Sequence, residues 1–204
     1  MSALRTYRAP QRLAWTEDDG AQELIARDPI AFVIGFILDQ QVRVQLAFAA
    51  PLKLQERLGH LNPERIAAMP IDELEHVFRS PSPLHRYPAA MAKRVQACML
   101  WITQQCDGDI VSHWRHAADL DDLRTRIENM PGFGAMKAVT VSSVLAHQFG
   151  MDVEGWDAAL PPYGSLALVD SLDDLADYQQ RKGAYKKAIR SGASPAEAAQ
   201  LVTG

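Results

Sequence analysis

Residues 119–150 read DLDDLRTRIENMPGFGAMKAVTVSSVLAHQFG, and this stretch decides the fold. Leu120, Leu123, Ile127 and Met130 recur at helical spacing among charged residues. From Lys137 a second helical pattern runs to Gly150, a glycine placed to end it. Val139–Val141 is β-branched, yet no other segment offers a partner strand, so helix is the expected state. Met130-Pro131-Gly132-Phe133-Gly134 interrupts both patterns, which predicts two helices joined by a hairpin. Ile127, Met130, Phe133 and Val139 are expected to hold the two helices at a fixed angle. Gly132 and Gly134 are expected to adopt backbone angles closed to other residues and to leave N–H groups unshielded before a helix start. Such a start attracts an anion through donated hydrogen bonds and the helix dipole. A DNA phosphate suits it, and Lys137 in the first turn adds charge. Pro and Gly also build ordinary helix–helix turns, so the hairpin alone leaves both uses open.

The rest of the chain reads as helices as well. Asp28-Pro29 pairs an N-cap with a proline at the first helical position. The run IAFVIGFILDQQVRVQLAFAAPLKL that follows is apolar nearly all round and predicts one central helix. Short helices are expected after Asn62-Pro63 and around Ile71-Asp72, a loop at RSPSP (79–83), and a long helix from Tyr87-Pro88 to Cys106. A basic helix carrying Arg181, Lys182, Lys186, Lys187 and Arg190 follows the irregular stretch 152–164. A short helix capped by Ser194-Pro195 comes last. The class is therefore all-α. The expected organisation is an amino-terminal arm over 1–20, a helical domain over 21–170 and a helical tail over 171–204.

Composition narrows the function classes. With 48% apolar and 23% charged residues the chain can bury a core and is not disordered. A net charge of −4 argues against coating nucleic acid by bulk charge, but a local basic face remains compatible with DNA. No apolar run is long enough for a membrane helix, and the amino terminus lacks a signal-peptide core, so the expected location is cytoplasmic. Cys98 and Cys106, eight apart, cannot supply the ligands of an iron–sulfur cluster, and no Cys/His cluster beside them implies zinc.

Two motifs carry a family resemblance. MPGFGAMKA (130–138) resembles the L-P-G-[VI]-G-x-x-[ST]-A hairpin of the HhH-GPD superfamily of base-excision DNA glycosylases. FILDQQVRVQLAF (36–48), about ninety residues upstream, resembles the Q-Q-V helix of its 3-methyladenine glycosylase II branch. LIARDPIAFVIGFILDQQ, SPLHRYPAAMAKRVQ and FGMDVEGWD are similar to an actinobacterial-type group of that superfamily, so the likeness spans about residues 21–157. It implies a two-lobed helical fold with the active site in the cleft between lobes, where a nucleotide is flipped out of duplex DNA. The partner implied is duplex DNA bearing a damaged base, the protein acting as a monomer. No cofactor is implied beyond, at most, a monovalent cation at the hairpin.

The site residues follow from the same likeness. The superfamily places an aspartate shortly after the helix that follows the hairpin, and the matching position is Asp157, with Asp152 and Glu154 in the same loop. A carboxylate there stabilises an oxocarbenium-like sugar and orients water. Asp157 also reads as a solvated loop acid or a cap for Ala158–Leu160. Asp39, Gln40 and Gln41 form a polar break in an apolar helix, expected to line the cleft, with Asp39 a second candidate carboxylate. Trp156 is a candidate to stack on a base. Pro131, Gly132, Phe133, Gly134 and Lys137 are the expected DNA contacts at the hairpin. His85 and Arg86, read as exposed beside Tyr87, are further candidates for phosphate or for a wedge into the duplex. Members with lyase activity carry lysine where this chain has Met136. Lys137, one residue on, is expected to face elsewhere, which predicts a glycosylase without lyase activity. The alternative is a non-catalytic protein that keeps the hairpin and has lost cleavage. The DQQ helix leans toward alkylated purines.

Overall fold

In the computed structural model, which describes residues 4–203, all regular structure is helical, and side-chain caps explain where most helices begin. Asp18 accepts from Ala21 N–H at 2.9 Å and opens α1 (Asp19–Arg27), a helix the sequence pattern had not separated from its surroundings. Asp28 accepts from Ile30 and Ala31 N–H at 2.8 and 3.2 Å and opens α2 (Pro29–Leu38) as expected. After α3 (Val44–Leu58), Asn62 caps α4 (Pro63–Ala68); α5 (Ile71–Arg79), the long α6 (Pro88–Cys106) and α7 (Ile110–Arg115) follow. Asp119 caps α8 (Leu120–Glu128), and α9 (Ala135–His147) includes the β-branched run 139–141. Gly150, at φ 62°, lets Met151 N–H reach back to Leu145 O at 3.0 Å, which closes α9. A single 3₁₀ turn (Leu166–Leu168) precedes α10 (Leu172–Arg190), and a reciprocal Ser194/Glu197 capping box opens α11 (Pro195–Gln200).

One expectation fails at the centre. The apolar run from Pro29 is two helices, not one, because the chain turns at Asp39–Arg43. Gln41 takes a left-handed φ of 58°, and the Gln40 amide donates to Ile37 O at 2.8 Å, capping the end of α2. A straight continuation would carry Val44, Ala47 and Phe48 away from the core; the turn folds them back against α2. The two helices approach so closely that a Cβ on Gly35 would stand 2.4 Å from Phe48 Cδ1. Helix α2 is buried from Ile30 to Leu38 and touches α1, α3, α6 and α7, so both halves of the chain pack on it.

The expected arm and tail both belong to the core. Trp15 is fully buried with its ring 4.8 Å from Phe48, 5.8 Å from Phe36 and 6.1 Å from Phe32. Leu13 is buried beside it; residues 1–20 contain polar sequence around an apolar anchor, and the anchor decides their packing. Leu175, Tyr178 and Val202 join the same hydrophobic cluster from the other end, so packing does not stop at residue 170. Among the described residues no helix is long and apolar enough to cross a membrane.

Candidate nucleic-acid interface and active site

The hairpin forms between α8 and α9, with Met130 and Phe133 buried beneath it and Ile127 fully buried in α8. Gly132 takes φ 89°, a region that favours glycine. Gly134 does not: at φ −124° and ψ 177° its backbone is extended, and a Cβ there would meet nothing within 4 Å. The glycine at 134 thus meets no demand of conformation or packing, and its effect is to keep the surface before α9 open. Helix α9 has no side-chain cap, and Gly134, Ala135 and Met136 N–H find no acceptor among the described residues. The Lys137 ammonium donates to Gly132 O at 3.2 Å and stands 5.4 Å from the Phe133 ring centroid. The Gly132 carbonyl is therefore already engaged by one cation, the protein's own.

The Asp39–Gln41 break is braced from α6 and from the loop before it. His85, read from sequence as an exposed phosphate contact, is buried, only 5% exposed. Its Nδ1 accepts Tyr87 N–H at 3.0 Å, so Nε2 carries the proton and donates to Gln40 O at 2.9 Å. Burial holds its pKa below the ordinary histidine value, and the neutral ring is a strut for the turn, not a DNA contact. The Gln40 side chain is spent too, donating to Ile37 O and accepting from the Arg94 guanidinium. Gln41 is exposed, its amide oxygen 3.5 Å from the Tyr87 hydroxyl. Arg86 is exposed, 5.3 Å from the Tyr87 ring centroid.

This turn sets Asp39 in a cleft of about 320 Å³, a volume suited to a small-molecule or nucleobase ligand. Phe36 and Asp39 come from the end of α2, Met136, Lys137 and Thr140 from α9, Tyr163 from the loop after it, and Tyr178, Lys182 and Lys186 from α10. Lys137 and Met136 both line it, contrary to the expectation that Lys137 faces elsewhere. The cleft lies against the first turn of α9, and the lysine stem is long enough to reach it. Burial pulls Lys137 down to about 8, with Asp39 acting in the opposite sense. Burial would lower Lys182 also, but its charge interaction and 3.0 Å hydrogen bond with the Tyr178 hydroxyl, supported by Asp39, hold it above the usual lysine value. A second cavity of about 300 Å³ adjoins the first: Asp39, Lys182 and Lys186 line both, with Gln41 and Arg43 beyond.

Helix α10 is thus a wall of the site. A reciprocal amide pair, Gln179 to Gln45 at 2.8 Å and Gln45 to Gln179 at 3.4 Å, docks it on the start of α3. Its contribution was visible as the i, i+4, i+8 series Tyr178, Lys182, Lys186, which one helix face must share. Tyr163 had no such signal, since it sits in an irregular loop. Lys53 and Arg86 line a further cavity, so Lys137, Lys182, Lys186, Arg43, Lys53 and Arg86 all border cavities on or near this side. None of them is in an ion pair among the described residues.

The other sequence candidates lie elsewhere. Asp157 is exposed, lines neither cavity of the cleft, and uses its carbonyl to accept Leu160 N–H at 3.1 Å. Trp156 is half-buried against His147, ring centroids 5.2 Å apart, and its carbonyl accepts the Ser143 hydroxyl at 3.3 Å. Asp152 accepts Thr6 N–H at 2.7 Å, which the hydrogen bond keeps ionised by lowering its pKa, and so ties down the amino-terminal segment. It borders an open surface cavity of about 740 Å³ together with Asp119, Asp121 and Glu154, whose acidic character would repel a phosphate chain. Cys98 is buried and Cys106 half-buried; burial pushes their thiols up to about 12 and about 11, so neither is an anion near neutral pH.

No family model matches the chain, and no curated protein or solved structure matches it.

Proposed function

We propose that the chain is a DNA glycosylase of the HhH-GPD kind, a two-lobed, monomeric, cytoplasmic enzyme that removes a damaged base flipped from duplex DNA. The observation that carries the reading is the position of Asp39: a lone carboxylate in a cleft bordered by the open hairpin and three lysines. The hairpin amides and the free cations hold the phosphate chain, while the cleft receives the base. Asp39, rather than Asp157, acts at the sugar. The C1′–N bond breaks with its electron pair leaving on the base, and the carboxylate stabilises the positive sugar. Water then forms the C1′–O bond, its proton passing to Asp39, and the departing nitrogen takes a proton from solvent. Lys137 is hydrogen-bonded to Gly132 O and, at about 8, still mostly protonated at neutral pH, so in this reading the attacking group is water and not the lysine amine.

The test is cleavage of duplexes carrying single deaminated, oxidised or alkylated bases by wild type, Asp39→Asn and Asp157→Asn. At least one substrate should be cleaved, Asp39→Asn should lose about a hundredfold or more, and Asp157→Asn should stay within about threefold. Binding without cleavage across the panel would favour the non-catalytic alternative. Borohydride trapping of wild type on lesion DNA would overturn the hydrolytic route.

A further inference from the structure

The charge around the cleft is lopsided. Lys137, Lys182 and Lys186 face it against the single carboxylate of Asp39. Of the rings that line the cleft, that of Tyr178 is already taken by one of the protein's own ammonium groups. Lys182 Nζ stands 5.1 Å from the Tyr178 ring centroid and Lys137 Nζ 5.4 Å from that of Phe133. Lys182 also donates to the Tyr178 hydroxyl, which fixes its charge beside the cleft. A cationic ligand entering here therefore meets net repulsion from the lysines, whereas an anion is attracted.

Resting on the glycosylase reading, we infer that the cleft selects neutral damaged bases, which leave as anions, and rejects bases already made cationic by N-alkylation. Insertion of the base gives the distinction its force. Bond cleavage moves one electron pair onto the base in either case, so the lysines assist departure of a neutral base and of a cationic purine to the same extent. They differ before that step, because only the cationic purine is repelled as it enters the cleft. The field thus favours deaminated and oxidised bases, against the lean toward alkylated purines drawn from the DQQ motif.

The experiment compares single-turnover cleavage at sub-saturating enzyme, read as a second-order rate constant, for matched duplexes carrying uracil, hypoxanthine or 8-oxoguanine and one carrying 7-methylguanine, each divided by its spontaneous rate. Wild type should favour at least one neutral base over 7-methylguanine by tenfold or more. Lys186→Gln, at an exposed position, and Lys182→Gln should each narrow that preference by roughly tenfold, the effect of removing one charge across a partly solvated gap. Lys182→Arg should keep it, which separates charge from folding. A preference for 7-methylguanine, or one unmoved by either glutamine variant, overturns this inference and leaves the glycosylase reading standing. Cleavage of no substrate overturns the glycosylase reading and the inference with it.

Discussion

Lys137 is where the chemistry of single residues is most exposed to test. Its ammonium is held at about 8 by burial, so it is charged at neutral pH and loses its proton as pH rises through that value. If Lys137 contributes to phosphate binding, duplex affinity should fall about threefold or more between pH 7 and pH 9, well before ordinary lysines titrate. Anisotropy titrations should show this in wild type and lose it in Lys137→Arg, whose charge persists. The stability effect has the opposite sign. The unfolded chain binds the proton more tightly, so stability rises with pH between about 8 and the ordinary lysine value, as the buried charge is relieved. Residue identity was a poor guide to residue role around this site. His85 read as a surface contact because a loop surrounds it in sequence, yet its two ring nitrogens are committed to Tyr87 N–H and Gln40 O. Asp39 and Asp157 were both legible as carboxylates, and Asp39–Gln41 was legible as a polar break; that the chain turns there, which places Asp39 in the cleft while Asp157 stays outside it, was not.

Among elements, the α2–α3 pair positions Asp39, and its geometry depends on Gly35. A methyl at that position would stand 2.4 Å from Phe48 Cδ1, within a rigid aromatic cluster. Gly35→Ala should cost about 2 kcal/mol or more by chemical denaturation and should reduce activity by shifting the Asp39 turn. Helix existence and type were legible because caps and spacing are local: Asp28-Pro29, Asn62-Pro63 and Ser194-Pro195 each open the helix they predicted. The division of one apolar run into α2 and α3 was not, because the polar break at Asp39–Gln41 fits a wet face on one continuous helix as well as it fits a turn. Nor was the role of α10, whose apolar and cationic stripe had a legible period but no legible partner until Gln45 and Tyr163 were seen beside it.

Across the whole molecule, a chain of net charge −4 separates its signs, with cations around the cleft and carboxylates around the cavity at Asp152. That separation makes an acidic composition compatible with the polyanionic partner proposed above. The same scale shows how far the ends of the chain support the site. Trp15 fills the space among Phe32, Phe36 and Phe48, so Trp15→Ala should cost about 3–5 kcal/mol in a denaturant titration; a loss under 1 kcal/mol would mean that the segment before α1 is a detachable arm after all. The central claim, that DNA is held at the open start of α9, is tested most directly by Gly134→Asp. The backbone at 134 is extended and a Cβ there meets nothing, so the substitution should leave the melting temperature within a few degrees while placing a carboxylate in front of the unpartnered amides. Duplex affinity, measured by anisotropy at fixed salt, should fall by about thirtyfold or more. Unchanged affinity in a folded Gly134→Asp protein would contradict the account.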